Sequence, residues 1–305
     1  MPTEPRRPNL FLVGAQKSGT TTLAVMLANH RQVFMCTPKE PGYLVFGRTG
    51  YTGRDGYGRL AHAASWVLDS EAEYLDLFRA APDEADWLGD ASTWYLSEPG
   101  AAEKLHEFSP DARIIVIFRH PADRAYSAWC HARRDGEEPC ESFAEALDRE
   151  SQRDNASHLL RYREMGCYAS QLRRYLEVFG SDRVLVLFYE DLRDDPDKLW
   201  RQCCEFLSLQ DGGRPASHRQ NRSGRPRSRL LHRLMRSQRF KSAMKRVLPL
   251  RFAAWAKDRA DAVNMRRFPP IPRDQRDRLV REFEGEVREL MALTGRDLTH
   301  WLPHA

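Results

Sequence analysis

Residues Asn9 to Asn29, reading NLFLVGAQKSGTTTLAVMLAN, constrain this chain more than any other stretch. The apolar run Leu10 to Val13 ends in a loop holding Gly14 and Gly19, and an apolar-periodic segment starts at Thr20, Thr21 and Thr22. That order is strand, loop, helix, and it favours an anion at the junction. The first turn of a helix leaves backbone N–H groups unpaired and carries a partial positive charge. Gly19 permits close backbone approach, the threonine hydroxyls donate to anionic oxygens, and Lys17 adds a full charge. Taken alone, the stretch is also compatible with an ordinary strand-to-helix turn.

The position of the lysine separates this loop from the commonest nucleotide loop. A Walker A sequence places its lysine directly after the second glycine, where it reaches the β- and γ-phosphates. Here Thr20 follows Gly19, and Lys17 precedes it. Gly14-Ala15-Gln16-Lys17-Ser18-Gly19-Thr20-Thr21 instead resembles the 5′-phosphosulfate loop of the sulfotransferases that use 3′-phosphoadenosine-5′-phosphosulfate (PAPS). A second junction agrees. Arg113 to Phe118 is a nearly continuous apolar run, as expected of a central parallel strand covered on both faces. It leads into Arg119, with Pro121 near a helix start and Ser127 further along that helix. Ligands of open α/β sheets bind outside the carboxyl ends of the strands, and the planar fork of arginine suits phosphate oxygens. The R-x-P-x-x-R-A-x-S pattern of Arg119 to Ser127 resembles the motif with which sulfotransferases grip the 3′-phosphate of PAPS, which implies that role for Arg119 and Ser127.

The resemblance runs from Leu10 to Trp301. It takes in Gly166-x-Tyr168-x-x-Gln171-Leu172, the Glu190-Asp191-Leu192 corner and the closing Leu298-x-x-Trp301. It implies an α/β fold: a single domain over 9–305 behind a short tail 1–8, with a central parallel sheet flanked by helices in a P-loop-like arrangement. A chain of 305 residues at 41% hydrophobic content has the core for one such domain. No apolar run has signal-peptide length or approaches the ~18 residues of a membrane span, so the expected location is cytoplasmic. The six cysteines show no metal-ligand spacing and are expected as free thiols.

The net charge of +5 conceals an uneven distribution. Residues 212–257 hold 14 Lys/Arg and no Asp or Glu, leaving 34 basic against 43 acidic residues elsewhere. Within that segment Arg222, Ser223, Gly224 and Arg225 resemble the late basic loop that closes over the 3′-phosphate and adenine in sulfotransferases. Residues 228–251 continue as a basic amphipathic pattern. It reads either as the solvated face of a core-packed helix or as a surface for anionic acceptors or lipid headgroups. Binding of double-stranded nucleic acid is not expected, because no DNA-reading motif is present.

Pro38 and Pro41 bracket Lys39 and Glu40 in an extended or turning backbone, which suits either an aimed carboxylate or a solvated ion pair. Glycan-type sulfotransferases use the glutamate of a K-E-P segment as general base, which implies that role for Glu40 with Lys39 beside it. The resemblance likewise implies that Lys17, with Ser18, Gly19, Thr20, Thr21 and Thr22, stabilises charge on the leaving phosphate. One departure stands out. Where many glycan sulfotransferases carry an acidic-Lys-Ser triplet, this chain has Asp90-Ala91-Ser92. Lys39, a histidine or Lys17 alone could supply the missing cation, or the acceptor differs. His120 beside the second motif reads as structural.

The implied activity is transfer of a sulfuryl group from PAPS, without a metal, to a hydroxyl or amine of a carbohydrate, glycolipid or small acceptor. An ATP- or GTP-dependent P-loop kinase is the alternative, although it needs acidic Mg²⁺ ligands at a strand end. A nucleotide-binding protein that has lost its chemistry is a third reading. Residues Gly47 to Ser65 are expected to form a loop or lid over the acceptor site. Arg273 to Leu293 reads as one charged helix. The sequence assigns no oligomeric state.

Overall fold

The computed structural model describes residues 6–210, 225–226, 265–266 and 268–303. At its centre lies a five-stranded parallel sheet of β1 (Leu10–Gly14), β2 (Val33–Met35), β3 (Trp87–Asp90), β4 (Arg113–Phe118) and β5 (Val184–Phe188), in the order β2-β3-β1-β4-β5. The expected α/β fold with a central parallel sheet is therefore the observed one. Alternate side chains of a strand face opposite ways, and both faces are apolar. Leu10, Leu12, Ile115 and Ile117 join one cluster with α1 (Thr20–Ala28) and, further along the chain, Leu199 and Trp200. Phe11, Val13, Ile114, Val116 and Phe118 join the larger cluster on the other face.

Helix α2 (Tyr43–Phe46) is a single turn, and α3 (Glu71–Asp76) is capped by Ser70, whose hydroxyl accepts from the Glu73 N–H. Helix α4 (Ala101–Phe108) leads into β4. Helix α5 (Pro121–Asp135) starts with proline at its first position and ends at Gly136, where φ is 77°. Its N-cap is His120, whose Nδ1 accepts from the Ala122 N–H at 3.2 Å. His120 is thus occupied structurally, in keeping with its reading from the sequence. Helices α6 (Phe143–Arg149), α7 (Tyr168–Phe179), α8 (Tyr189–Asp194) and α9 (Pro196–Leu207) follow. A two-residue pair, β6 (Arg225–Pro226) with β7 (Met265–Arg266), is antiparallel.

Tyr189 follows the fifth strand directly and opens α8, so the Glu190-Asp191-Leu192 corner is helical. One expectation needs correction. The charged C-terminal helix is two helices, α10 (Arg273–Glu282) and α11 (Glu284–Thr294), parted at Phe283 with φ −90° and ψ 2°. Phe283 is buried and wedged against Gly166, where an added Cβ would lie 2.7 Å from its Cζ. The break lets α10 dock on α5 while α11 docks on α7. None of the six cysteines forms a disulfide. Among the described residues no helix is long and apolar enough to cross a membrane. The basic stretch 228–251 lies outside the described residues.

The chain end is tied to the strand ends. Trp301 is 1% exposed, donates Nε1 to Glu190 Oε1 at 3.0 Å, and packs on the rings of His120 and Phe188. Arg296 pairs with Asp191 at 2.6 Å. Replacing Trp301 with alanine removes a large buried ring and leaves Glu190 without its donor. Urea unfolding of Trp301→Ala is expected to show a loss of about 3–5 kcal/mol.

Candidate active site

The strand order decides where the site lies. From β3 the chain crosses over β1 to reach β4, so the direction of winding reverses beside β1, and the crevice outside the carboxyl ends of β1 and β4 is the switch point. Gly14 at the end of β1 leads into the Lys17 loop, and Phe118 at the end of β4 leads into Arg119. The two junctions touch: Arg119 Nη1 donates to the Lys17 carbonyl at 3.3 Å, and the Tyr168 hydroxyl donates to the Arg119 carbonyl at 2.9 Å. The Arg119 guanidinium lies over the Tyr189 ring, 5.0 Å from its centroid.

Helix α1 has no side-chain N-cap; its N-cap is Gly19, with φ 96°. Among the described residues the N–H groups of Thr20, Thr21 and Thr22 have no acceptor, as at a helix start without a side-chain cap. A Cβ on Gly19 would lie 2.9 Å from Leu192 Cδ2 and 3.0 Å from Tyr189 Cδ2. An open cradle of amides, one lysine and one arginine fits a phosphate-bearing group. Ser18 is fully buried in this loop, and Ser127 is half-buried on α5.

Lys17 points at α5. Its Nζ lies 2.7 Å from His131 Nδ1, and His131 Nε2 lies 3.1 Å from Asp135 Oδ2. Desolvation in the loop, followed by the Arg134 guanidinium, pushes Lys17 down to about 8, against the opposing pull of Asp135 and Glu40. Burial and the Lys17 charge push His131 down to about 4. His131 is accordingly neutral at pH 7, with Nδ1 accepting from Lys17 and Nε2–H donating to Asp135.

Glu40 is half-buried. Its Oε1 accepts from Lys39 Nζ at 2.8 Å and from Thr93 Oγ1 at 2.9 Å. Desolvation pushes its carboxyl up, but the Lys39 charge and the hydrogen bonds from Lys39 and Thr93 outweigh it, and the net shift is downward. The Glu40 charge in turn acts on Lys17, where it opposes loss of the proton. Lys17 and Glu40 are also two of the four non-glycine described residues with positive φ, at 70° and 65°. Each such backbone costs about 1–3 kcal/mol and persists only where its surroundings hold it.

Lys17, Ser18, Gly19, Thr20, Thr21, Thr22, Lys39, Glu40, Arg119 and Ser127 are all described; the first loop and Arg119 form one junction, with the Lys39-Glu40 turn within electrostatic reach of it. Arg222, Ser223 and Gly224 lie outside the described residues. Only the backbone of Arg225 is described, in β6. Three residues that sequence reasoning missed are His131, Asp135 and Thr93. The first two had a signal: Ser127, His131 and Asp135 are spaced i, i+4, i+8 and so share one face of α5. Thr93 had none, since it belongs to a turn that docks on β1 through the Leu96 N–H to the Val13 carbonyl.

The expected lid over 47–65 is bolted down. Arg54 exchanges backbone bonds with Asn155 and Ser157, and the Tyr51 hydroxyl meets His158 Nδ1 at 3.0 Å. His158 Nε2 in turn pairs with Glu98 at 2.7 Å. Between this loop, α2 and the residues after Glu98 lies a cleft of about 230 Å³ with a polar lining that includes Thr52, Lys104, Asn155 and Arg161.

Comparison with known proteins reaches the same place. The model of the sulfotransferase family matches residues 8–212. The chain is 28% identical over 210 residues to the human bifunctional heparan sulfate N-deacetylase/N-sulfotransferase 3, covering 67% of this chain. It is 26% identical over 210 residues to the human enzyme numbered 1 of the same series. It spans only 22% of the length of these relatives. A crystal structure of a sulfotransferase from Alicyclobacillus acidocaldarius superposes with a TM-score of 0.73 and 29% identity, covering 97% of this chain and 99% of that one.

The lowered Lys17 pKa sets a pH dependence. Below about 8 its ammonium is protonated and attracts an anion; above that value the charge is lost. Calorimetric titration with 3′-phosphoadenosine-5′-phosphate should show affinity falling, with proton uptake on binding, as pH rises through this range. Lys17→Arg should flatten the profile, because a guanidinium stays charged.

Proposed function

The chain belongs to the sulfotransferase family, and from that membership and the site geometry we propose that it transfers a sulfuryl group from PAPS to a hydroxyl or amine of a carbohydrate or similar polar acceptor. One arrangement carries this reading: beside an anion-binding strand–helix junction stands a hydrogen-bonded carboxylate, Glu40, whose charge reaches Lys17 in that junction. When bound, the donor supplies a sulfuryl group on a phosphate leaving group. The acceptor oxygen or nitrogen bonds to sulfur as the sulfur–oxygen bond to that phosphate breaks, and the acceptor proton goes to Glu40.

Each residue has a physical reason for its part. The amides of Thr20 and Thr21 and the ammonium of Lys17 meet the charge that grows on the leaving oxygen. Arg119 and Ser127 take the 3′-phosphate, Arg119 through charge-assisted bonds. Among the described residues both bonds to Glu40 fall on Oε1, which leaves Oε2 to receive the acceptor's proton. Lys39, bonded to Glu40, is the cation that stands in for the lysine absent at Ala91. His131 holds Lys17 in place as a neutral acceptor, backed by Asp135.

The acceptor class is supported by chemistry on both sides. The polar cleft beside α2 suits a ligand rich in hydroxyl or amino groups. The matched relatives include enzymes named for N-sulfation of heparan sulfate, so a glycan amine is the first acceptor to try.

A thermal-shift titration with 3′-phosphoadenosine-5′-phosphate, compared with ATP and GTP in the presence of Mg²⁺, tests the donor. A ligand that binds only the folded state raises the melting temperature by mass action. Stabilisation by the bisphosphate is expected, weakened in Arg119→Ala by about 1.5–3 kcal/mol of charge-assisted bonding. Stabilisation by ATP or GTP alone would replace this reading with a kinase. With PAPS and N-deacetylated heparosan, Glu40→Gln is expected to lower kcat about 10²- to 10⁴-fold while leaving bisphosphate binding intact.

A further inference from the structure

A buried carboxylate stands behind the Glu40 turn with no cation at bonding distance among the described residues. Asp90, at the end of β3, is fully buried, and three hydroxyls converge on it. Ser92 Oγ donates to Oδ1 at 2.7 Å, while the Tyr74 and Tyr95 hydroxyls donate to Oδ2 at 2.9 and 3.0 Å. Burial dominates over these bonds and raises the carboxyl to about 6. Two of the three hydroxyls have a second task. Ser92 Oγ accepts from the Gly42 N–H at 3.2 Å, and the Tyr95 hydroxyl accepts from the Leu44 N–H at 3.3 Å.

Those two N–H groups belong to the cap and first turn of α2, where no side chain of α2's own cap satisfies them. They lie directly after Glu40, whose left-handed backbone needs external support. Each hydroxyl hands its proton to Asp90, so its lone pairs are turned to the α2 amides. An acceptor-only group at position 90 therefore fixes the direction of both bonds. Tyr74 ends at Asp90 and has no bond to this turn among the described residues; it meets α2 through ring stacking on Tyr43.

We propose that Asp90, acting through Ser92 and Tyr95, is a positioning residue that aims Glu40 at the acceptor. The inference rests on the reading of Glu40 as the base. Asp90 touches neither donor nor acceptor in this scheme; it fixes the turn from which Glu40 projects. A small misplacement of a reacting group lowers turnover far more than it lowers stability.

Asp90→Ala would strand three buried hydroxyls and is a poor test, so the links are cut singly. Ser92→Ala and Tyr95→Phe each remove one bond to the α2 amides, whereas Tyr74→Phe removes only a bond to Asp90 and serves as the matched control. With PAPS and N-deacetylated heparosan, Ser92→Ala and Tyr95→Phe are expected to lose about tenfold or more in kcat with the donor KM unchanged, and Tyr74→Phe to keep the wild-type kcat. Hydrogen exchange, which needs no acceptor, should quicken at residues 40–46 in the first two variants and not in the third. Adding Ser92→Ala to Glu40→Gln should cost nothing further. Unchanged exchange at 40–46 would overturn the proposal, as would a full additional loss in the double variant. If Glu40→Gln is disabled while Ser92→Ala and Tyr95→Phe turn over normally, this inference alone fails; if Glu40→Gln turns over normally, the base assignment fails and takes the inference with it.

Discussion

The parallel pairing of β1 with β4 is the contact on which the site depends. Leu10 to Leu12 pair with Arg113 to Ile115, and Gly14 then falls opposite Val116 after a shift in register. The shift brings the Lys17 loop off the sheet beside the Ile117 carbonyl, which accepts from the Ala15 N–H at 2.8 Å. Both strands are buried on both faces, so neither can slide without exposing apolar side chains. The loop backbone and Arg119 are thus held by the core itself, and the bond from Arg119 to the Lys17 carbonyl follows from that registry.

Upon this frame, Lys17 and Glu40 are held by separate partners rather than by each other. Lys17 rests on a neutral imidazole and Glu40 on an adjacent lysine and a threonine hydroxyl. A direct Lys17–Glu40 bond would have satisfied both groups and closed the space in which the proposed donor and acceptor meet. Separate partners keep the two charges apart yet coupled. The weak basicity of Lys17 comes from burial and the Arg134 charge, and the lowered pKa of Glu40 from the Lys39 charge and the bonds of Lys39 and Thr93.

The sheet and both strand–helix junctions were legible because their information is local. Continuous apolar runs mark buried parallel strands, and Gly19, Pro121 and Pro196 mark helix starts close to the observed ones. The rest depends on partners far apart in sequence. Locally, Lys39-Glu40 reads equally as a solvated ion pair; what half-buries it is a turn some fifty residues later, around Thr93. The split at Phe283 is invisible in the apolar spacing because the stripe runs unbroken through it, and only the docking of its halves on α5 and α7 requires the bend. His131 was within reach of the helical period but stood beyond the motif that drew attention to α5. The Asp90 cluster combines both cases: Ser92 and Tyr95 are its sequence neighbours, while Tyr74 and the α2 amides come from elsewhere.

Ala91 shows how one substitution redistributes these roles. Its methyl group is 3% exposed and packs in the cluster that α1 forms against the sheet, beside the apolar side chains of β1. A lysine there would have to thread its ammonium out of that cluster or leave it unpaired at high cost. With alanine the cluster stays apolar, and the triplet Asp90-Ala91-Ser92 presents only its carboxylate and hydroxyl. Freed of a lysine partner, Asp90 collects hydroxyls, and those hydroxyls reach the turn that carries Lys39 and Glu40. In the proposed scheme the cation absent after β3 is supplied by Lys39, on the turn that the Asp90 hydroxyls support.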